Sequence, residues 1–158
     1  EYAADLLGAD LYEIKAAEPY TEEDLNYRDS TSRTSLEQKD ASVRPAISTG
    51  GFMGQNTSGS ADLSLSEYDV IFLGYPIWNG QAPRIINTFL ESYDLSGKAV
   101  VPFCTSASSG IGLSAENLKG SCSESTVWYD GIRFGSAVSA DDVAEWIHEL
   151  VLPDRQER

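Results

Sequence analysis

The stretch "YDVIFLGYPIWNG", Tyr68 to Gly80, decides how this chain is read. Val70 to Tyr75 is a near-continuous apolar run, the pattern of a parallel strand covered on both faces. The run stops abruptly at Pro76, Ile77, Trp78, Asn79 and Gly80. A large aromatic therefore stands where a buried strand hands over to a polar loop.

Downstream the rhythm is regular. Pro83 to Ser92 reads as an amphipathic helix with Ile85, Ile86, Phe89 and Leu90 as its buried stripe. Pro83 lies near its first turn, where a missing N–H costs nothing. Ala99 to Cys104 is a second buried strand, followed by the tight polar loop "TSASSGIG", Thr105 to Gly112. A short helix starts at Ser114 to Lys119. Thr126 to Phe134 is an extended segment with a turn at Asp130-Gly131. Ser139 caps a last helix to Leu150, with Asp141 and Asp142 in its first turn and Val143, Trp146, Ile147 and Leu150 facing inward. Alternating strands and helices imply right-handed crossovers and a parallel sheet with helices on both faces.

Upstream the pattern is less regular. Glu1 to Leu7 reads as the last turns of a helix with Ala3, Leu6 and Leu7 on one face and Gly8 as its stop. An upstream segment is expected from this, and any leader with it. Asp10 to Ala16 is a short strand. Thr21 to Lys39 is a polar, partly irregular helical excursion anchored by Leu25 and Leu36. Ser48 to Ser60, "STGGFMGQNTSGS", reads by composition as a flexible loop. Its spacing matches neither a Walker loop nor a GxGxxG turn.

The 158 residues suit one domain, and 41% hydrophobic residues can fill one core. A net charge of −14 disfavours nucleic acid and anionic membrane surfaces, and suits a basic protein partner. No apolar segment is long enough to span a membrane. Cys104 and Cys122 do not make a disulfide framework, and Cys104 reads as a small buried hydrophobe. His148 is the sole histidine, which excludes a catalytic triad and a multi-histidine metal site. It reads as solvent-facing. Asp141, Asp142, Glu145 and Glu149 form an acidic helical face, solvated or docking a basic reductase.

In open parallel sheets, ligands sit beyond the carboxyl ends of the strands. Two loops leave such ends here. Tyr75, Pro76, Ile77, Trp78, Asn79 and Gly80 offer a flat aromatic beside a glycine. Thr105, Ser106, Ala107, Ser108, Ser109 and Gly110 offer hydroxyls and backbone N–H groups. Together they could hold a flat heterocycle, one face stacked and the edge hydrogen-bonded.

"YDVIFLGYPIWNGQAPRIINTFLESYDLSGKAVVPFCTSASSGIG" resembles the flavodoxin family, in the branch with a Pro-Ile-Trp loop. So do "GADLYEI", "YTEEDLNYRDSTSR" and "TVWYDGIRF". The resemblance implies a three-layer, doubly wound α/β fold with a five-stranded parallel sheet of order 2-1-3-4-5, and flavin mononucleotide (FMN) as cofactor. Trp78 would stack on the isoalloxazine, and Thr105 to Ile111 would meet the ring edge. No residue need act as acid or base, and no metal is implied. The function implied is electron transfer between a reductase and an acceptor, or reduction of small molecules such as quinones, in the cytoplasm, with an exported form left open.

The family's first strand and its phosphate-gripping loop have no counterpart in these residues. The absent strand is the middle one, between Asp10–Ala16 and Val70–Tyr75, and an empty slot forfeits roughly ten hydrogen bonds at about 1 kcal/mol net each. Three readings stay open: residues outside this sequence fill it, a partner's strand does so in a homodimer, or the strands rearrange with Ser48 to Ser60 taking up slack. A cofactor-free scaffold acting as a protein-interaction module is the alternative function.

Overall fold

The computed structural model describes residues 1–48, 51–53 (as backbone) and 64–153. Its centre is a four-stranded, all-parallel sheet. Strand β3 (Val70–Pro76) pairs with β4 (Ala99–Thr105), and β4 pairs on its other edge with β5 (Val127–Trp128) and β6 (Ile132–Phe134). The described helices are α1 (Tyr2–Leu7), α2 (Arg33–Lys39), α3 (Arg84–Ser92), α4 (Ser114–Leu118) and α5 (Ala140–Glu149), with a 3₁₀ turn at Lys119–Ser121.

Side chains alternate across β4 and feed two cores. Val100 and Cys104 pack with Leu73, Tyr75 and the α3 residues Ile85, Ile86, Phe89 and Leu90. Val101 packs with Phe134 and the α5 residues Val143, Trp146 and Ile147, joined by Phe72 and Phe103. The buried stripes expected of α3 and α5 are those observed, and Asn87 is buried with them, its Nδ2 donating to Ser121 Oγ at 3.0 Å. Ser139 and Asp142 form a complete capping box at the start of α5. Gly8 ends α1 in the left-handed conformation, φ 59°. Ala3 packs into the second core, whereas Leu6 is half exposed.

The fifth strand position is split. Val100 O accepts from Tyr129 N at 3.0 Å, so this edge of β4 bonds β5. Two residues on, Pro102 turns to the same edge with no N–H to donate, and there the neighbouring strand breaks between β5 and β6. Gly131 lies in the break. A Cβ at this position would meet Ile111 Cδ1 at 2.4 Å and Pro102 O at 3.2 Å.

One expectation needs correction. The segment Ser48 to Ser60 is not loop throughout: β2 (Gly51–Met53) pairs antiparallel with β1 (Leu11–Glu13), Leu11 opposite Met53 and Glu13 opposite Gly51. The ladder extends to a bridge between Ala16 and Ile47. Composition misjudged these residues because it weighs side chains, while the backbone groups of β1 need partners regardless. The rest of that segment lies outside the described residues, except Ser48, whose N–H donates to Lys15 O at 2.9 Å. With the central strand absent from these residues, the described strands form two sheets, β1–β2 and β3 to β6. Between them runs an apolar cavity of about 550 Å³, lined by Leu11 to Ile14 on one side, Val70 to Gly74 on the other, and Ala3, Ala4 and Leu7 of α1. This is the slot the sequence predicts for the family's central strand. The layering and the parallel core are as expected. No described helix is long and apolar enough to cross a membrane.

Candidate functional site

The carboxyl ends of three strands converge. Pro76, last in β3, lies opposite Thr105, last in β4, and Thr105 lies opposite Phe134, last in β6. The two loops proposed from sequence therefore leave neighbouring strand ends side by side.

The first loop owes its shape to its own residues. Asn79 (φ 48°) and Gly80 (φ 79°) are both left-handed, the requirement of a type I′ turn. Trp78 and Gln81 flank it and exchange backbone hydrogen bonds of 2.8 and 3.0 Å. Trp78 is half-buried, lines the cavity with Pro76, Pro83 and Tyr20, and packs against the Tyr20 ring with centroids 5.0 Å apart and planes at 69°. Asn79 and Gly80 are exposed, as is Pro76. Ile77 is half-buried against the first core.

Tyr75 points away from this cavity. It is 3% exposed, and burial pushes its phenol up from the usual range, so it stays protonated. Its hydroxyl lies 3.1 Å from Ser114 Oγ, which spends its own hydrogen on Ile111 O at 2.6 Å. Tyr75 thus acts through the core, fixing the far end of the second loop.

In that second loop Thr105, Ala107, Ser108, Ser109 and Gly110 are exposed and Ser106 is half-buried. Ser106 N donates to Phe134 O at 3.1 Å. Arg133 holds the loop from outside: Nη2 donates to Ser106 O at 3.0 Å and Ala107 O at 2.7 Å. Asn117 Nδ2 donates to Gln81 Oε1 at 2.7 Å and ties the two loops together. Sequence reasoning missed Tyr20, Gln81, Ser114, Asn117 and Arg133. Of these only Gln81, beside the Asn-Gly turn, carried a local signal.

A flat ring system fits what is here. The ring would lie at the mouth of the cavity, beside Trp78, and not in the strand slot behind it. That mouth offers an apolar face, an indole, and a neighbouring loop of hydroxyl and backbone groups. The phosphate loop expected from the family has no counterpart among the described residues, and these bring no cluster of three His, Cys, Asp or Glu side chains together for a metal.

A parallel core sheet covered by helices, with two loops meeting at adjacent strand ends, defines a flavodoxin-like protein. The family model described as Flavodoxin matches residues 1–150, and the chain belongs to that family. It is 38% identical to the crystal structure of a proposed flavoprotein from Bacteroides uniformis, with a TM-score of 0.79 over 94% of this chain and 86% of that one. A proposed flavoprotein from Bacteroides eggerthii is also 38% identical, TM-score 0.77, covering 95% and 86%. A Lactobacillus acidophilus flavoprotein solved in complex with FMN shares the fold at 17% identity, TM-score 0.56, covering 92% and 85%. No curated protein matches the chain at a significant level.

Proposed function

We propose that this chain binds FMN and passes electrons between a basic reductase and an acceptor protein, with small quinones as the other class of acceptor. The observation that carries this reading is the juxtaposition of Pro76 and Thr105, which sets the Trp78 loop beside the serine-rich loop at one rim of the sheet. Bound FMN supplies the electron-accepting chemistry, and the protein supplies stacking, hydrogen bonds and field. Trp78 gives the stacking face, with Pro76 and Ile77 bounding it on the apolar side. Asn79 and Gly80 let the loop turn back within two residues. Thr105 to Gly110 face the ring edge with backbone and hydroxyl groups, and Arg133 holds Ser106 and Ala107 in place. The net charge of −14 disfavours further negative charge at the site and pushes the potential down. The exposed carboxylates Asp141, Asp142, Glu145 and Glu149 of α5 make the docking surface for a basic partner. The test is titration of the purified protein with FMN. Quenching of flavin fluorescence at micromolar protein is expected, and unquenched flavin contradicts the reading.

A second reading is favoured by one observation. Strand β3 has the sequence of an interior strand, yet β4 is its single strand neighbour among the described residues, and its other edge faces the apolar cavity. Such an edge accepts a strand from a second copy or another protein. On this reading the scaffold works as an interaction module, without FMN, as a strand-exchanged homodimer. Light scattering at two concentrations tests it: a mass that doubles with concentration supports exchange, and a constant monomer mass excludes it.

A further inference from the structure

The Trp78 loop does not stand alone. Behind it lies the excursion that follows β1, and the contacts between the two form a chain. The Tyr20 ring packs against the Trp78 indole in a T-shaped pair, centroids 5.0 Å apart. The Arg33 guanidinium lies over the Tyr20 ring at 3.9 Å from its centroid. Tyr20 Oη donates to Glu37 Oε2 at 2.7 Å, and Arg33 Nε donates to Glu37 Oε1 at 2.9 Å. The pair is well covered, with side-chain exposures of 22% for Arg33 and 12% for Glu37. Burial, and then the Glu37 carboxylate, push the Tyr20 phenol up, so it remains a donor through neutral pH. Two further bonds join the same helix to the base of the loop. Gln38 Nε2 donates to Ala82 O at 3.1 Å, and Arg84 Nη2 donates to Gln38 O at 3.1 Å.

A mobile indole is a poor stacking platform, because its rotamer freedom must be lost on binding. A second aromatic ring packed against it at a steep angle removes that freedom in advance. Here the clamp is itself clamped, from one side by a cation over its face and from another by a carboxylate on its hydroxyl. The excursion thus does for the flavin loop what no residue within the loop can do.

We infer that Tyr20 is a positioning residue for the cofactor platform, fixing the Trp78 ring, and that the Arg33–Glu37 pair holds Tyr20 and sets a balanced charge behind the site. The inference rests on the FMN reading for its effect on the flavin, but not for the Tyr20–Trp78 contact itself. A neutral pair leaves the bound flavin's potential unmoved, whereas removing one member exposes the other's charge.

The test uses the full chain and five variants. Near-ultraviolet circular dichroism without FMN reads the ring pair directly. Tyr20→Leu should lose the band that Trp78→Phe loses, and Tyr20→Phe should keep most of it. With FMN, losing an aromatic pair contribution of this kind weakens binding about fivefold in Tyr20→Leu, with Tyr20→Phe closer to the parent. Midpoint potentials of bound FMN give the charge test. Glu37→Gln should raise the potential by leaving the guanidinium unopposed, and Arg33→Met should lower it by leaving the carboxylate. A loosened fold would move both the same way. Tyr20→Leu with parental dichroism and parental FMN affinity overturns the inference, as do potential shifts of one sign. If the parent itself takes no FMN, the FMN reading falls while the dichroism comparison still decides the Tyr20 contact.

Discussion

Asn117 Nδ2 donates to Gln81 Oε1 at 2.7 Å, so a residue of α4 after the serine-rich loop holds the residue that closes the tryptophan loop. The bond is exposed, and its loss costs the fold little. A net hydrogen bond contributes roughly 0.5–1.5 kcal/mol, which is about two- to tenfold in a binding constant when it preorganises a site. Asn117→Ala should therefore weaken FMN binding by a few-fold and leave the melting temperature near that of the parent. Calorimetric titration beside a thermal melt checks this, and a large loss of stability with unchanged affinity contradicts it.

Gly74 allows β3 and the Phe103 ring to pack without space for a methyl. A Cβ there would lie 2.3 Å from Phe103 Cζ. The Phe103 ring also meets Phe134 at 6.1 Å and Trp146 at 5.9 Å, so moving it aside disturbs both contacts. Gly74→Ala should cost about 1–3 kcal/mol by overpacking. The urea midpoint should fall with little change in slope.

Several carboxyl groups are held below their ordinary range by local hydrogen bonds. Asp142 accepts from the Ser139 backbone and side chain, Asp29 from Thr31, Asp40 from Ser42 and Asp94 from Ser96. Glu91 is held down by Arg44, which donates to both its oxygens. These groups bind protons less readily folded than unfolded. Their stabilisation is complete above the ordinary values, 3.8 for Asp and 4.5 for Glu, and is lost as pH falls through the lower folded values. Because these carboxylates are exposed and screened by solvent, the melting temperature should fall gradually below about pH 4. Ser139→Ala removes the cap of α5, costs about 1 kcal/mol at neutral pH and makes the acid limb shallower.

Both thiols are held in their protonated form. Burial pushes Cys122 up to about 11, with Glu91 adding to the shift, and burial likewise raises Cys104, which has no exposed surface. The two are free cysteines. Iodoacetamide at pH 8 should modify the folded protein much more slowly than the unfolded chain. Rapid alkylation of either would contradict the burial described here.

The parts of this architecture that sequence exposes are those in which period and local chemistry agree. The Val70–Tyr75 run, the α3 stripe and the Ser139 cap each encode their own geometry. The parts that stayed hidden depend on partners far along the chain. Gly51–Met53 is a strand because β1 needs its backbone, not because of its composition. Tyr20 and Trp78 meet across most of the first half of the chain, and nothing local in the polar excursion marks Tyr20 as a site residue. The split of the fifth strand follows from Pro102 on its neighbour, a cause located in a different element. Adjacency places Tyr75 with its loop, while the alternation of β3 sends its side chain into the core.

The central claim is that the Trp78 indole is the face on which the flavin lies. The direct measurement is fluorescence quenching of FMN by the parent chain, Trp78→Leu and Trp128→Leu under identical conditions. Strong quenching by the parent and by Trp128→Leu, with most of it lost in Trp78→Leu, is the predicted result. Quenching by Trp78→Leu equal to that of the parent would contradict it.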